Sequence, residues 1–488
     1  MLKQRAFAAT LWSGVEVFTR QGLQFVVAIV LARLLDPAEF GLVATMALFI
    51  AVATALMDGG FSTALLQRQD IDHVDESTVF WFNLAIGTLL SAAIAFSAPW
   101  LATFFDLPVL RRLAPALGLT VFIAGLGAIH ATLINKRLEF RKLMGINIVA
   151  TVAAGVVAIA LAVSGYGVWA LVAQALVMAA ATTAMLWVVG GWRPAWVFSR
   201  TTVRKLFALG GYNLASSLLE AAYSRFYTLI IGRWFGARDL GYYSNADATR
   251  QMPTRFLSAV VLRAALPMFA EAAHDREKLR RGLQLSIRGT MLINAPLMLG
   301  GAVLAEPLVR VLFGIRWLPA APMLSVLCLA GIFYPLHALN LHVLLAQSHS
   351  KRMFHLEVLK KILGLALIVA GSVFGVMGIA WSQVAASLLG VVLNTHYSGR
   401  SLGYGLAAQS RDFLPPVLLA LLMAAAVALL NHYWPWEAHF TLRLGVLIIT
   451  GTALFIAGAM LLRLEAMRDV LLLLKSRSSS RHGEMGTL

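Results

Sequence analysis

Five polar residues recur at intervals of three and four within the apolar stretch at 206–231. They are Asn213, Ser217, Glu220, Ser224 and Tyr227. This spacing places them on one face of a helix. A carboxylate such as Glu220 is costly in hydrocarbon unless it is paired or hydrated, so the face is predicted to line a water-accessible cavity. The alternative is a buried helix whose polar groups bond to neighbouring helices.

Arginines on two further stripes could bind phosphate. The stripes are Tyr243, Asp247, Arg250, Thr254 and Ser258 in the stretch 241–268, and Ser13, Glu16, Arg20 and Gln24 in the stretch 10–32. A planar guanidinium donates two parallel hydrogen bonds to phosphate oxygens. Arg20 and Arg250 of these stripes are therefore predicted to bind a phosphorylated ligand, together with Asn213, Ser217 and Tyr227. Arg255, on an adjacent face of the stretch 241–268, is predicted to bind it as well. Asp247 and Arg250 can also pair along their own helix.

The acidic residues of these stretches suggest ion coupling. Glu16, Glu220 and Asp247 are candidates for proton or sodium coupling, because buried carboxyl groups can have raised pKa values. Asp58 precedes Gly59-Gly60 at the end of another stretch, where it either gates the inner mouth or meets basic inner loops. No catalytic, metal or cofactor site is predicted. Cys328 is alone and predicted to be packed in the core. His337 is predicted to form hydrogen bonds between helices.

The elements that must position these residues are membrane spans. Hydrophobic residues make up 59% of the chain and charged residues 13%, and apolar segments of about 20 residues, enough to cross the hydrocarbon core, recur along its length. Fourteen such segments are predicted, at 10–32, 41–66, 78–102, 113–133, 144–164, 167–189, 206–231, 241–268, 289–312, 320–346, 355–375, 377–397, 413–431 and 444–462. The sequence therefore predicts an all-α polytopic membrane protein.

Basic residues predict the orientation. Most of the 40 Lys and Arg fall in the connections that lie inside if the N-terminus is inside. This asymmetry predicts cytoplasmic N- and C-termini. The net charge of +17 then faces anionic lipid headgroups, and no nucleic-acid partner is predicted. Since no Walker-type phosphate loop is present, transport energy is expected from an ion gradient or from the substrate gradient.

Two turns repeat along the chain. Arg33, Glu39 and Gly41 recur in register as Arg233, Asp239 and Gly241. Arg33 and Arg233, with the acids of these turns, are predicted to form an outer gate between two related lobes. The predicted domains are an N-lobe of six helices at 1–200, a C-lobe of six helices at 201–400, two further helices at 401–465 and a cytoplasmic tail at 466–488.

Three motifs carry a family resemblance. They are Arg33-Leu-Leu-Asp-Pro-Ala-Glu-Phe-Gly-Leu42, Asp58-Gly-Gly-Phe-Ser-Thr-Ala-Leu-Leu-Gln-Arg68 and Leu240-Gly-Tyr-Tyr-Ser244. They resemble the polysaccharide transporter family of Wzx-type oligosaccharide flippases, in its colanic-acid-exporter-like branch. That family belongs to the multidrug/oligosaccharidyl-lipid/polysaccharide (MOP) superfamily. The resemblance implies fourteen transmembrane helices, arranged as two pseudo-symmetric six-helix lobes plus two C-terminal helices.

The resemblance also implies a function. It is the movement of an undecaprenyl-pyrophosphate-linked oligosaccharide across the bacterial inner membrane, during exopolysaccharide or lipopolysaccharide biosynthesis. Membrane lipids, a polysaccharide polymerase and glycosyltransferases are the implied partners. Two alternatives of the same superfamily stay open, an ion-coupled drug or cation exporter and a lipid II flippase. A membrane glycosyl polymerase or ligase is disfavoured because the outer connections are short, so no enzyme activity is expected.

Overall fold

A computed structural model describes residues 19–68, 70–272, 275–347, 350–433 and 440–469. The regular elements within these ranges are helices. They are α1 (helical residues 19–34), α2 (Pro37–Asp58), α3 (Phe61–Gln67), α4 (His73–Phe105), α5 (Leu110–Lys136), α6 (Phe140–Val163), α7 (Val168–Gly190), α8 (Arg200–Trp234), α9 (Ala237–Glu271), α10 (Arg276–Val303), α11 (Ala305–Leu312), α12 (Ala320–Gly331), α13 (Tyr334–Ala346), α14 (Ser350–Ser372), α15 (Gly375–Leu402), α16 (Leu406–His432) and α17 (Phe440–Leu461).

The predicted class of all-α polytopic membrane protein is confirmed. Within the described ranges, nine helical segments are long and apolar enough to cross a membrane, or ten if the bent pair α10–α11 is one span. Helices α8 and α9 are not among them, although each has 35 residues. Both carry the charged stripes that the sequence places at the candidate site.

Several predicted segments are interrupted. The segment 41–66 is divided between α2 and α3, because Gly59 and Gly60 adopt left-handed backbone angles of φ 58° and 74°. The segment 289–312 bends by 76° between α10 and α11. The predicted hydrophilic connection at 269–288 is mostly helical, since Asp275 caps α10 by accepting hydrogen bonds from the backbone amides of Glu277 and Lys278. Those amides hold the pKa of Asp275 below its usual range.

The described residues divide into two compact units, one ending at Asn245 and one beginning at Ala246. In the first unit, α5 packs against α2, α4 and α7. Its core holds fully buried side chains such as Met46, Leu110 and Leu113. Helix α8 packs against α2, α3 and α4 of the same unit. The predicted lobe boundaries stay predictions, because packing units and sequence repeats need not coincide.

In the second unit, α10 is the central helix. It packs against α12, α13 and α16, while α14 pairs with α15 and α16 pairs with α17. The core of this unit includes Leu283, Ile287 and Met291 of α10 together with Leu336 of α13 and Ala420 of α16. Helix α11 lies against α17, where the Arg310 guanidinium sits 3.8 Å from the ring centroid of Phe440.

Candidate functional site

The two repeated turns lie against each other in the first unit. A Cβ atom on Gly41 would lie 1.6 Å from the backbone oxygen of Ala237. A Cβ atom on Gly241 would lie 1.9 Å from the backbone oxygen of Pro37. Real Cβ contacts do not fall below 3.0 Å. Only glycine therefore permits this crossing of α2 and α9, which explains the glycine at both repeat positions.

An ion pair joins the same two turns. The Arg238 guanidinium lies 3.1 Å from the carboxylate of Asp36, and both side chains are largely exposed. Asp36 also caps α2, since it accepts a hydrogen bond from the Ala38 amide while Glu39 accepts one from the Asp36 amide at 2.9 Å. Asp36, Pro37 and Glu39 are the capping-box pattern of a helix start. The predicted gate included Glu39 but not Asp36, although the capping pattern is present in the sequence.

The predicted gate residues have other surroundings. Arg33 and Arg233 occupy equivalent exposed positions. The Arg233 guanidinium lies over the ring of Phe104, 5.6 Å from its centroid. An ion pair between Asp36 and Arg238 connects the turns, while a gating role for Arg33 and Arg233 stays a prediction.

The polar stripe of α8 changes character along the helix. Asn213 is half-buried, and Ser217, Glu220 and Ser224 are exposed. Tyr227 is buried and its ring packs on that of Tyr243, with centroids 4.7 Å apart. Three of the five stripe residues are thus exposed. A cavity-lining face, with ligand binding by Asn213, Ser217 and Tyr227, stays a prediction.

The stripe of α9 contains a paired charge in the second unit. The Arg250 guanidinium lies 2.6 Å from Asp247, whose second carboxylate oxygen accepts a hydrogen bond from Gln251 at 2.5 Å. The predicted pairing along the helix is confirmed. The aliphatic part of Arg250 packs beside Gly331 of α12, and Thr254 contacts the sulfur of Met298 in α10 at 3.7 Å. Arg250 is therefore held in this structure by an ion pair and by packing against α12.

Three other predicted residues are only partly placed. Arg20 is half-buried on α1. Glu16 lies outside the described residues, and the side chain of Arg255 is outside the description although its backbone belongs to α9. Their assigned roles stay predictions.

Asp58 takes part in a short polar chain. It accepts a hydrogen bond from the Ser62 hydroxyl, which itself accepts one from Thr132 of α5 at 2.9 Å. Beside it, a Cβ on Gly60 would lie 2.3 Å from the backbone oxygen of Gly210 in α8. The Asp58-Gly59-Gly60 motif thus fixes the close approach of α3 to α8.

The predictions for Cys328 and His337 are confirmed. Cys328 is buried. His337 of α13 lies 3.3 Å from the Ser387 hydroxyl and 3.1 Å from the Asn394 amide nitrogen, both on α15. The histidine therefore links two helices, as the sequence indicated.

A second charged cluster was missed. Arg288 of α10 pairs with Asp412 of α16 at 2.6 Å, with Asp469 at 3.3 Å and with Glu465. The Tyr404 hydroxyl donates to Asp412 at 2.5 Å. Burial and this hydrogen bond raise the pKa of Tyr404, so its hydroxyl keeps the donated proton. The spacing of Arg280, Gln284 and Arg288 at four residues was the available sequence signal.

Comparison with known proteins identifies the family. The sequence profile of a family described as "Polysaccharide biosynthesis protein" matches residues 30–322. The chain belongs to this family. Among its relatives is the succinoglycan biosynthesis transport protein ExoT of Rhizobium meliloti, which is 30% identical over 91% of this chain and 89% of the relative. The lipopolysaccharide biosynthesis protein WzxC of Escherichia coli is 27% identical over 80% of each chain.

Solved structures identify the fold. The lipid II flippase MurJ, in an inward closed conformation, matches with a TM-score of 0.77 and 15% identity over 93% of this chain and 99% of its own. An inward-facing multidrug resistance MATE transporter of the MOP superfamily matches with a TM-score of 0.62 and 16% identity over 78% and 95%. This polysaccharide biosynthesis protein is thus a multi-pass membrane transporter with a fold like those of MurJ and the MATE transporter, and its relative ExoT is a transport protein.

Proposed function

We propose that this family member is a flippase. It moves an undecaprenyl-pyrophosphate-linked oligosaccharide repeat unit from the cytoplasmic to the periplasmic leaflet of a bacterial inner membrane, during exopolysaccharide or lipopolysaccharide biosynthesis. The observation that carries the proposal is the match over nearly the whole chain to a succinoglycan biosynthesis transport protein. The arginines on the polar helix faces suit a phosphorylated substrate.

The proposed architecture completes the observed one. Fourteen transmembrane helices form two six-helix lobes and a C-terminal pair, with both termini in the cytoplasm. Each of the fourteen predicted segments coincides with a described helix or helix pair, the first through residues 19–34 of α1. The charged stripes of α8 and α9 would then face the protein interior, where intramembrane charge is tolerated.

Alternating access needs an outer joint that can open. In this proposal the joined turns form this joint, since a glycine crossing and an exposed ion pair hold them together. In the outward-open state, Arg33 and Arg233 would line the exit. Asp58 would act at the inner mouth. A substrate drives the cycle only through different contacts in the two states.

Substrate binding is proposed to exchange partners at Arg250. The pyrophosphate takes bonds from Arg20, Arg250 and Arg255, while Asn213, Ser217 and Tyr227 contact the sugars. Because Asp247 neutralises Arg250 in the observed state, phosphate binding would release this carboxylate to accept a proton or a sodium ion. Glu16 and Glu220 are the other proposed coupling groups. A polymerase and glycosyltransferases would supply and consume the substrate.

Removing both charges at this pair tests the exchange. The variant Arg250→Gln with Asp247→Asn leaves no unpaired charge, so it is expected to fold normally. It is also expected to lower flipping at least ~10-fold, since a charge-assisted bond to phosphate is lost. The measurement is flipping of a fluorescent pyrophosphate-linked oligosaccharide in proteoliposomes. Wild-type flipping by this variant would remove Arg250 from the ligand site.

A charge reversal at Arg238 tests the outer joint. Arg238→Glu places two carboxylates together without removing the Asp36 cap of α2, and is expected to weaken the closed state by ~1 kcal/mol or less because the pair is exposed. Arg238→Lys keeps an opposite pair and should keep the wild-type rate. Cysteine accessibility near residue 33, probed from the periplasmic side, reports the opening. An identical accessibility pattern in all three proteins would contradict the proposed joint.

Substrate competition separates the alternatives. We expect the pyrophosphate-linked oligosaccharide to be flipped, and a cationic dye to be neither transported nor competitive. A lipid II flippase would prefer lipid II in the same vesicles. A drug exporter would move the dye and depend on Asp247 and Glu220 more than on Arg250. Transport of the dye alone would overturn the proposed function.

A further inference from the structure

A charged cavity of about 460 Å³ lies in the second unit, and no stripe residue of α8 or α9 belongs to its lining. It is lined by residues of α10 and α16, by Tyr404 before α16 and by the residues that follow α17. Its lining includes four arginines, Arg280, Arg288, Arg411 and Arg463. None of them belongs to the proposed transport site, so the cavity needs a separate explanation.

The arginines of this cavity differ in how many ion pairs they form. Arg288 holds the three carboxylates of Asp412, Glu465 and Asp469. Arg280 makes a long contact of 4.0 Å with Glu277, and both of these side chains are largely exposed. Within the described part of the chain, neither Arg411 nor Arg463 forms an ion pair. Two guanidinium groups therefore remain available to an anion at the cavity.

Arg463 lies at the end of helix α17 and adopts a left-handed backbone conformation. Helix α17 closes with hydrogen bonds from the Arg463 amide to Met460 and from the Leu464 amide to Ala459. This is the Schellman pattern, whose left-handed position is usually glycine. Arg463 occupies that position with a φ of 48°. A side chain is strained there, and such strain is typical of functional positions.

The surroundings of the cavity are apolar. Leu461 and Leu462 at the end of α17 are 82% and 62% exposed, and Leu414 and Leu418 of α16 are also exposed. Leu462 lines the cavity itself. Because α16 and α17 are both apolar enough to span a membrane, these leucines are expected to face acyl chains. The cavity thus joins phosphate-binding groups to a lipid-facing surface.

We propose that this cavity binds the phosphate headgroup of an anionic phospholipid from the leaflet at the end of α17. Arg411 and Arg463 would contact the phosphate, and Arg280 would lie at the cytoplasmic rim. The acyl chains would lie along Leu414, Leu418 and Leu461. Such a lipid would tie the segment after α17 to α16, in addition to the ion pairs of Arg288.

Lipid titration of the full-length protein tests this site. The probes are phosphatidylglycerol, phosphatidylcholine with the same acyl chains, and inorganic phosphate, added to protein in a non-ionic detergent. Native mass spectrometry counts bound lipid, and thermal unfolding measures protection. We expect phosphatidylglycerol alone to bind and protect. Equal protection by inorganic phosphate would overturn the phospholipid assignment, and no preference over phosphatidylcholine would overturn the anion site.

The variant Arg463→Gly separates binding from folding. Glycine suits the left-handed position, so the lipid-free protein is expected to unfold at the wild-type temperature or above it. Its affinity for phosphatidylglycerol should fall about five-fold, and Arg411→Ala should cause a similar loss. Arg468→Ala is the matched control, since Arg468 is exposed on the same segment but does not line the cavity. Unchanged lipid binding by both Arg463→Gly and Arg411→Ala would overturn the proposal.

Discussion

Replacing Gly41 by alanine is expected to abolish transport and to destabilise the protein by about 3 kcal/mol or more. The added methyl group would lie 1.6 Å from the backbone oxygen of Ala237, where ordinary contact begins at 3.4 Å. No side-chain rotation relieves a clash between Cβ and a main-chain atom. The starts of α2 and α9 would have to separate, which removes the closed form of the joint.

The measurements are thermal unfolding of the purified protein and the flipping rate in proteoliposomes. Gly241→Ala should behave like Gly41→Ala, because its Cβ would lie 1.9 Å from the Pro37 oxygen. Gly22→Ala is the matched control, since a Cβ at this helical position meets no atom of the described residues within 4 Å. It should unfold at or slightly above the wild-type temperature. A Gly41→Ala protein with wild-type stability and rate would show that the turns do not pack as observed.

The sequence predicted the existence of helices better than their limits. Long apolar runs predict helices in a membrane because every backbone polar group must be bonded internally. Hydropathy carries no mark of the 76° bend after α10, since both sides of the break are apolar. Hydropathy also gives no indication of the first turns of α10, because many of the residues after the Asp275 cap are charged although they form a helix.

The candidate site shows the same limit for side chains. Asp247 and Arg250 are three residues apart on one helix, so their pairing could be predicted from spacing alone. Gly41 and Gly241 could be recognised as a repeat. Their mutual contact could not, since a shared position in two repeats does not say what either residue touches. The ion pair between Arg288 and Asp412 could not be predicted from local spacing, because the two residues lie on different helices.

The Arg288 cluster belongs to a polar network that joins several helices, whereas the Asp247–Arg250 pair lies within one helix. Asp412 is 8% exposed and accepts hydrogen bonds from Gln284, Tyr404 and Arg288. Nearby, Gln409 bonds to Asn340 of α13 and to Ser398 of α15. Both Gln409 and Asn340 are fully buried. Helices α10, α13, α15 and α16 and the segment after α17 are therefore joined through hydrogen-bonded polar side chains. Removing one member of such a network breaks more than one hydrogen bond.

Arg288→Met is therefore expected to destabilise the protein by about 3–5 kcal/mol, because it leaves the buried carboxylate of Asp412 without its counter-charge. It also releases Glu465 and Asp469, so protease cleavage after Arg463 should accelerate. The double variant Arg288→Met with Asp412→Asn should recover most of the stability, since no buried charge remains unpaired. Thermal unfolding and limited proteolysis of the purified protein measure both effects.

Arg281→Met on the same helix is the control. Its partner Glu277 lies 3.5 Å away, but both side chains are more than half exposed, so the loss should stay within about 0.5 kcal/mol. If Arg288→Met were as mild as Arg281→Met, the carboxylate of Asp412 would have to be solvated or protonated without the guanidinium. If the double variant did not recover stability, the contacts of Arg288 with the segment after α17 would contribute more to stability than its pairing with Asp412.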